Sequence, residues 1–248
     1  MRAVPGFLTE REGRFLALIA AGAPADGVIL EIGTFKGKST VGLATIAQRY
    51  GLGPVVTVDP HTAPAPTDPD LAGQASSWEA FTASVAAAGV ADVVEAHRAY
   101  SRDVARGWNR PIRVLWVDGD HTYAGTREDV ALFGPHLVPG AVLAMHDVLH
   151  VYEGPVRVFV EEVLASDAFG PAGVCGSIGW AQFRPADGGA FRAERRALAR
   201  RAARLVALVR HGRRPTGLAR LIYQVLRATV PHAAPRADDW LARVSVSA

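Results

Sequence analysis

Short apolar runs alternate with amphipathic segments along most of the chain. Val28–Ile32, Val55–Val58, Ile112–Val117 and Ala141–Met145 are runs of four to six residues closed by polar residues or glycine, and read as buried strands. Val93–His97 is a weaker strand candidate. Between them, residues 39–50, 78–88 and 123–137 have helical periodicity, and 154–164 reads as a further helix. Upstream, residues 8–20 read as a helix opened by a Thr9/Glu12 capping box, with Phe15, Leu16, Leu18 and Ile19 as its apolar face. Residues 173–183 supply a closing strand or hairpin. The Pro- and Asp-rich stretch 60–76 reads as a long loop able to cover a binding site. This order predicts an α/β fold: a Rossmann-like, doubly wound, mostly parallel sheet with helices on both faces.

Ligands of such sheets sit outside the carboxyl ends of the strands. Here those ends carry Glu31, Asp59, Asp118 and His146-Asp147, so four strands load one rim with polar chemistry.

From residue 191 the pattern changes. Arginines interleave with Leu198, Leu205, Val206 and Val209 in a basic amphipathic helix, Pro215–Gly217 breaks it, and a second helix follows over 218–230. No further element is expected after Pro231. Residues 1–190 carry 14 Lys+Arg against 21 Asp+Glu; residues 191–248 carry 13 against 3. The division expected is therefore a domain over 1–190 and a basic helical extension over 191–248. The charge split predicts that the extension associates with an acidic body, its own or that of a second copy, and a homo-oligomer, a dimer first, is expected. A basic amphipathic helix is also the signature of peripheral contact with an anionic membrane surface. No aromatic interleaving supports nucleic acid as a partner.

The composition, 49% hydrophobic and 21% charged, excludes wholesale disorder. One cysteine, Cys175, excludes an intramolecular disulfide framework and suits a reducing cytoplasm. No run reaches the roughly 18 apolar residues of a membrane span, and the first residues lack the long apolar run of a signal peptide.

Glu31-Ile-Gly33-Thr34-Phe35-Lys36-Gly37-Lys38-Ser39-Thr40 joins a strand to a helix. Glycines let the backbone turn and approach a ligand, and the helix start offers N–H groups to it. Asp59, at the next strand end, is placed to accept from a ribose diol. The loop lacks the third glycine of a dinucleotide site and is one residue short of a triphosphate-binding loop. Glu31 discriminates further: a carboxylate repels a diphosphate and attracts a sulfonium or ammonium group.

Glu-x-Gly-x-x-x-Gly followed by a strand-end acid resembles the class I S-adenosylmethionine-dependent methyltransferases, over roughly residues 26–185. The resemblance implies that Glu31, Gly33, Thr34, Lys36, Gly37 and Ser39 surround the methionine part of S-adenosylmethionine. It places Asp59 on the ribose, Ser101 against adenine and Asp118 beside the cofactor.

A second cluster, Asp118-Gly119-Asp120-His121-Thr122-Tyr123 and His146-Asp147, would meet the first on the same rim. A sugar hydroxyl needs a base, a cation or both before it attacks a methyl group. Asp-Gly-x-His-x-Tyr followed by His-Asp resembles the metal-dependent branch that includes the sugar and macrolide O-methyltransferases, methyltransferase family 24. That resemblance implies Asp118 and Asp147 as ligands of Mg²⁺ or Mn²⁺, with His146 completing the set or acting as base. Asp120 or His121 is the other candidate base. Tyr123 and Trp116 are expected to pack, and His61 to lie in solvated loop. The function so implied is O-methylation of a sugar or saccharide-containing small molecule, with a mannoside or similar saccharide as the acceptor. The alternatives are a non-catalytic adenosyl-ligand or saccharide-binding protein on this fold, and a nucleoside-triphosphate-using enzyme working through Lys38-Ser39.

Overall fold

A computed structural model of the chain describes residues 4–62 and 76–245. The expected covering loop falls mostly outside the described residues.

Seven strands form one sheet in the order β3-β2-β1-β4-β5-β7-β6. They are β1 (Val28–Ile32), β2 (Val55–Val58), β3 (Val94–His97), β4 (Ile112–Val117), β5 (Leu137–Met145), β6 (Phe169–Cys175) and β7 (Ile178–Phe183). The first five are parallel, and the β6–β7 hairpin adds antiparallel to β5. β1, β2 and β4 are buried along their whole length, which is why they read as unbroken apolar runs rather than alternating ones.

Successive side chains of these strands enter two separate cores. Leu30, Ile32, Val58, Leu115, Val117, Leu143 and Met145 pack on one face. Ile29, Val55, Val114, Trp116, Val142 and Ala144 pack on the other. Helices α1 (Glu10–Gly22), α2 (Lys38–Tyr50) and α3 (Trp78–Ala87) cover the second face through Phe15, Leu16, Leu43 and Phe81. Helices α5 (Tyr123–Phe133) and α6 (Glu153–Val158) cover the first face, and α6 runs on into a wider π-type turn at Phe159–Val163. A short α4 (Ser101–Ala105), not expected from the sequence, follows β3. The Thr9/Glu12 capping box forms as the spacing predicts.

The extension packs onto the body. Helix α7 (Arg192–Val209) buries Ala202, Leu205, Val206 and Val209 in the first core. Its Arg195 guanidinium is buried, donating to the carbonyls of Leu164 and Gly188 and to Asp167 at 2.9 Å. Arg192 pairs with Asp167, and Arg210 with Glu161 at 2.7 Å. The basic segment thus meets acids of its own copy. Helix α8 (Gly217–Ala228) follows the Pro215 break.

The segment after Pro231 is where the structure departs most from expectation. It forms a further helix, α9 (Ala237–Val244), whose Trp240 is buried against Phe15 and Trp180 at centroid distances of 6.0 and 5.6 Å. The other differences are local. The helix expected over 123–137 ends at Phe133, and β5 begins at Leu137, earlier than the apolar run alone indicates.

Candidate active site

The parallel register aligns Ile32 with Val58 and with Val117, and Val117 with Met145. The residues that follow, Gly33, Asp59, Asp118 and His146, therefore stand side by side on one rim. β1 has β2 on one side and β4 on the other, so chain direction diverges at this point, where an open parallel sheet leaves a crevice. A cavity of about 1130 Å³ opens there.

Gly33 has φ of +80°, and a Cβ on it would lie 2.2 Å from the Asp118 carbonyl oxygen. The turn therefore requires glycine for its sign of φ and for the close approach of β4. Asp59 is held by this loop: one carboxylate oxygen accepts from the N–H groups of Thr34 (2.8 Å) and Phe35 (3.0 Å), the other from the N–H of His61 (2.7 Å). The second oxygen keeps a lone pair for a ligand hydroxyl. Ser101, at the start of α4, lines the cavity beside Asp129; burial raises Asp129's pKa to about 6 despite a hydrogen bond from Ser101.

Gly33, Thr34, Ser39, Asp59, Ser101 and Asp118 all line the cavity; Glu31, Lys36 and Gly37 do not. Glu31 corrects the electrostatic expectation. Its side chain is wholly buried behind the loop, where Ser39 and Thr40 donate their hydroxyls to it, the latter at 2.6 Å. Burial raises its pKa to about 8, against the lowering effect of those two hydroxyls. Glu31 braces the start of α2 rather than facing a ligand. Lys36 is buried with its ammonium 5.4 Å from the Phe35 ring, and Gly37 backs onto Phe81. Lys38 donates to the Gly6 carbonyl at 2.9 Å, tying the N-terminal segment to the loop. The acidity of the wall comes instead from Glu12, Asp59, Asp118, Asp120, Glu128, Asp129, Asp147 and Glu153.

At the ends of β4 and β5, one potential ligand atom each from Asp118, His121 and Asp147 lies within 4.8 Å of the others. His121 Nε2 is 3.1 Å from Asp147 Oδ2 and 3.8 Å from Asp118 Oδ1, yet is buried without a hydrogen bond of proper geometry. Two carboxylates and one imidazole this close together are a donor set that could hold a divalent cation. The imidazole favours Mn²⁺ over Mg²⁺ among hard cations. Burial alone would lower the His121 pKa, but the two carboxylates raise it to about 9. His146, expected in this set, stands behind it: Nδ1 is 3.2 Å from Asp118, and Nε2 faces Glu12 at 3.9 Å. Burial opposes its charged form, and Asp118 nevertheless holds its pKa well above the usual value. Asp120 accepts from the N–H (2.8 Å) and hydroxyl (3.0 Å) of Thr122 and lines the cavity beside the cluster.

Among the described residues, only Phe35, His61, Asp147 and His211 are non-glycine residues with positive φ. Three of the four follow strand ends at this rim, where surrounding contacts sustain strained backbone. His61, expected in solvated loop, is buried, with Nδ1 2.8 Å from Ser77 Oγ and its ring against Trp78 and Phe81. Trp116 is core, as expected, and Tyr123 donates to Glu162 at 3.0 Å.

Four other parts of the wall are not singled out by local sequence pattern. Pro5 to Thr9 cross the cofactor side, with Phe7 stacked on Phe35 at 5.9 Å. Glu12 enters from α1. Tyr152 stacks on His121 at 4.4 Å, with the Arg214 guanidinium 4.5 Å from the Tyr152 ring centre. Arg227 of α8 lines the far wall, its Nε buried without a hydrogen-bond partner.

A family model described as a methyltransferase domain matches residues 30–148. The O-methyltransferase TomG from Streptomyces achromogenes, solved with SAM, is 24% identical with a TM-score of 0.54, covering 72% of this chain and 82% of that one. The O-methyltransferase from Bacillus cereus, solved with SAH, is 20% identical with a TM-score of 0.51, covering 73% and 85%. The calicheamicin methyltransferase CalS11 is 19% identical with a TM-score of 0.51, covering 73% and 83%. The family match spans the strands that build the rim, the fold agrees with it, and residues 30–148 form a methyltransferase domain of the class I S-adenosylmethionine-dependent kind.

Proposed function

We propose that the protein transfers the methyl group of S-adenosylmethionine to a hydroxyl of a sugar or saccharide-containing small molecule, with a divalent cation at Asp118, His121 and Asp147. The observation that carries this reading is that one cavity holds both halves of the reaction. The Gly33 turn and the oriented Asp59 carboxylate lie at one end, and the convergent Asp-His-Asp cluster at the other. The saccharide acceptor rests on the resemblance of Asp118 to Tyr123 and His146-Asp147 to the sugar O-methyltransferase branch. Polar groups in the wall suit a polyhydroxylated guest.

Asp59 accepts hydrogen bonds from the ribose hydroxyls, and Ser101 with Asp129 faces the adenine. The acidic wall favours the sulfonium and the α-ammonium of the donor over a phosphorylated nucleotide. The acceptor oxygen attacks the methyl carbon in line. The C–O bond forms as the C–S bond breaks, its electron pair going to sulfur and leaving neutral S-adenosylhomocysteine. A bound cation supplies Lewis acidity that lowers the pKa of the acceptor hydroxyl. The hydroxyl proton passes to Asp120. His121 would give its ring nitrogen to the cation in its neutral form, as a ligand and not as the base, and a bound cation would displace the proton that the two carboxylates otherwise hold on it. His146 positions Asp118 from behind.

The test is a screen of saccharide acceptors with radiolabelled methyl donor, with and without chelator. Methyl incorporation lost on chelation and restored by Mn²⁺ is expected. In Asp118→Ala, turnover falls far more than S-adenosylhomocysteine affinity. Binding of donor with no transfer to any acceptor would favour the non-catalytic alternative. Displacement of bound donor by ATP would favour the triphosphate one.

A further inference from the structure

Helix α8 leaves one face bare. Leu218, Leu221, Ile222 and Val225 are 72%, 57%, 42% and 59% exposed, half of the large hydrophobic residues so exposed among those described. Their spacing places all four on a single helical stripe. The opposite face is committed: Tyr223 is buried and donates to the His150 carbonyl, Leu226 packs on the first core, and Arg227 lines the cavity. The helix cannot turn its apolar stripe inward without giving up those contacts. A contiguous exposed stripe of this kind marks an interaction surface.

Charge decides between occupants. Every charged residue between Glu194 and Asp238 is an arginine. Arg213 and Arg214 immediately precede α8, and Arg220 lies within it; all three are exposed and none is ion-paired among the described residues. Two-fold self-association through α8 would set the same arginine-rich surface against itself, with no acid of this segment to relieve it. An anionic phospholipid surface complements both features: acyl chains receive the stripe, and headgroup phosphates pair with the arginines.

We propose that α8 docks the protein on an anionic membrane surface through Leu218, Leu221, Ile222 and Val225, with Arg213 and Arg214, in the segment that leads into the helix, at headgroup level. The proposal does not depend on methyl transfer.

The full chain is sedimented with vesicles of phosphatidylglycerol and phosphatidylcholine, and with vesicles of phosphatidylcholine alone. Binding to the anionic vesicles is expected to exceed binding to the neutral ones by about tenfold or more at low ionic strength, and to collapse near 0.5 M salt. The L221D/V225D pair lowers binding about tenfold or more while the melting temperature stays that of the parent. The R213Q/R214Q pair removes the preference for anionic lipid, and serves alone if the first variant unfolds. Failure to bind anionic vesicles, or equal binding to both vesicle types, overturns the proposal. So does a dimer in solution that the aspartate pair abolishes without any vesicle binding by the parent, which would assign the stripe to a second copy.

Discussion

Ser177 donates both its backbone N–H and its hydroxyl to one oxygen of Glu12, each at 2.7 Å. The other oxygen accepts from the Thr9 N–H and hydroxyl and faces His146 Nε2 at 3.9 Å. One carboxylate therefore joins the first helix, the β6–β7 turn and the residue that backs Asp118. Glu12→Ala is expected to cost about 2–3 kcal/mol, because it strands a buried N–H and uncovers a buried, positively charged imidazole. Urea denaturation measures this; a loss below about 0.5 kcal/mol would show the joint to be incidental. Burial would raise the Glu12 pKa, yet His146, Thr9 and Ser177 hold it well below the usual 4.5. Its stabilising contribution is thus present above pH 4.5 and lost on acidification, and Glu12→Gln should blunt that loss.

Gly33→Ala and Gly51→Ala separate backbone strain from collision. Both glycines have positive φ, but Gly51 has nothing within 4 Å of an added Cβ, whereas Gly33 meets Asp118 backbone. Gly51→Ala should cost about 1 kcal/mol, and Gly33→Ala at least about 3 kcal/mol with loss of donor binding. Equal melting temperatures for the two variants would contradict the close approach of the loop to β4.

Glu31 gives the opposite pH signature to Glu12. Its folded pKa of about 8 lies above the unfolded 4.5, so the native state holds a proton that the unfolded chain releases between those values. Stability is fullest below pH 4.5 and declines as pH rises through the window, by on the order of 2–4 kcal/mol. Glu31→Gln has no proton to lose, so its stability should change less between pH 5 and 8. Parallel wild-type and variant curves of melting temperature against pH would argue against a neutral Glu31.

Trp240→Ala should cost about 3–5 kcal/mol, because a buried indole packed on Phe15 and Trp180 leaves a cavity between α1 and the sheet. Calorimetry reads the loss directly, and an unchanged melting temperature would mean that α9 contributes no packing.

The buried parallel strands were legible because both of their faces are covered, which makes them continuous apolar words, and their strand-end acids located the rim. β3 was faint because it is an edge strand whose last three residues are exposed. Asp59, Ser101, Asp118 and the His-Asp pair are singled out by local pattern, and all of them line the cavity. Pattern could not say which way Glu31 points, because that depends on the Ser39 and Thr40 hydroxyls on the far side of the turn. Nor could it separate His121 from His146, since the path of the loop after β4 decides which imidazole comes nearest to Asp147. Glu12, Tyr152, Arg214 and Arg227 were invisible as site residues because they arrive from distant segments whose local sequence is already explained by helix capping or amphipathicity. The α9 segment was missed because two adjacent acids and a single tryptophan make a weak apolar face until its partners are known.

Helix α9 also bears on how the molecule is made. Phe15 and Gly22 leave the ribosome before any strand of the sheet, but the surfaces that cover them, Trp240 and Leu241, follow its last strand. The aromatic side of α1 must therefore wait, partly uncovered, through translation of the whole sheet, and its native environment is completed only when α9 folds back across it.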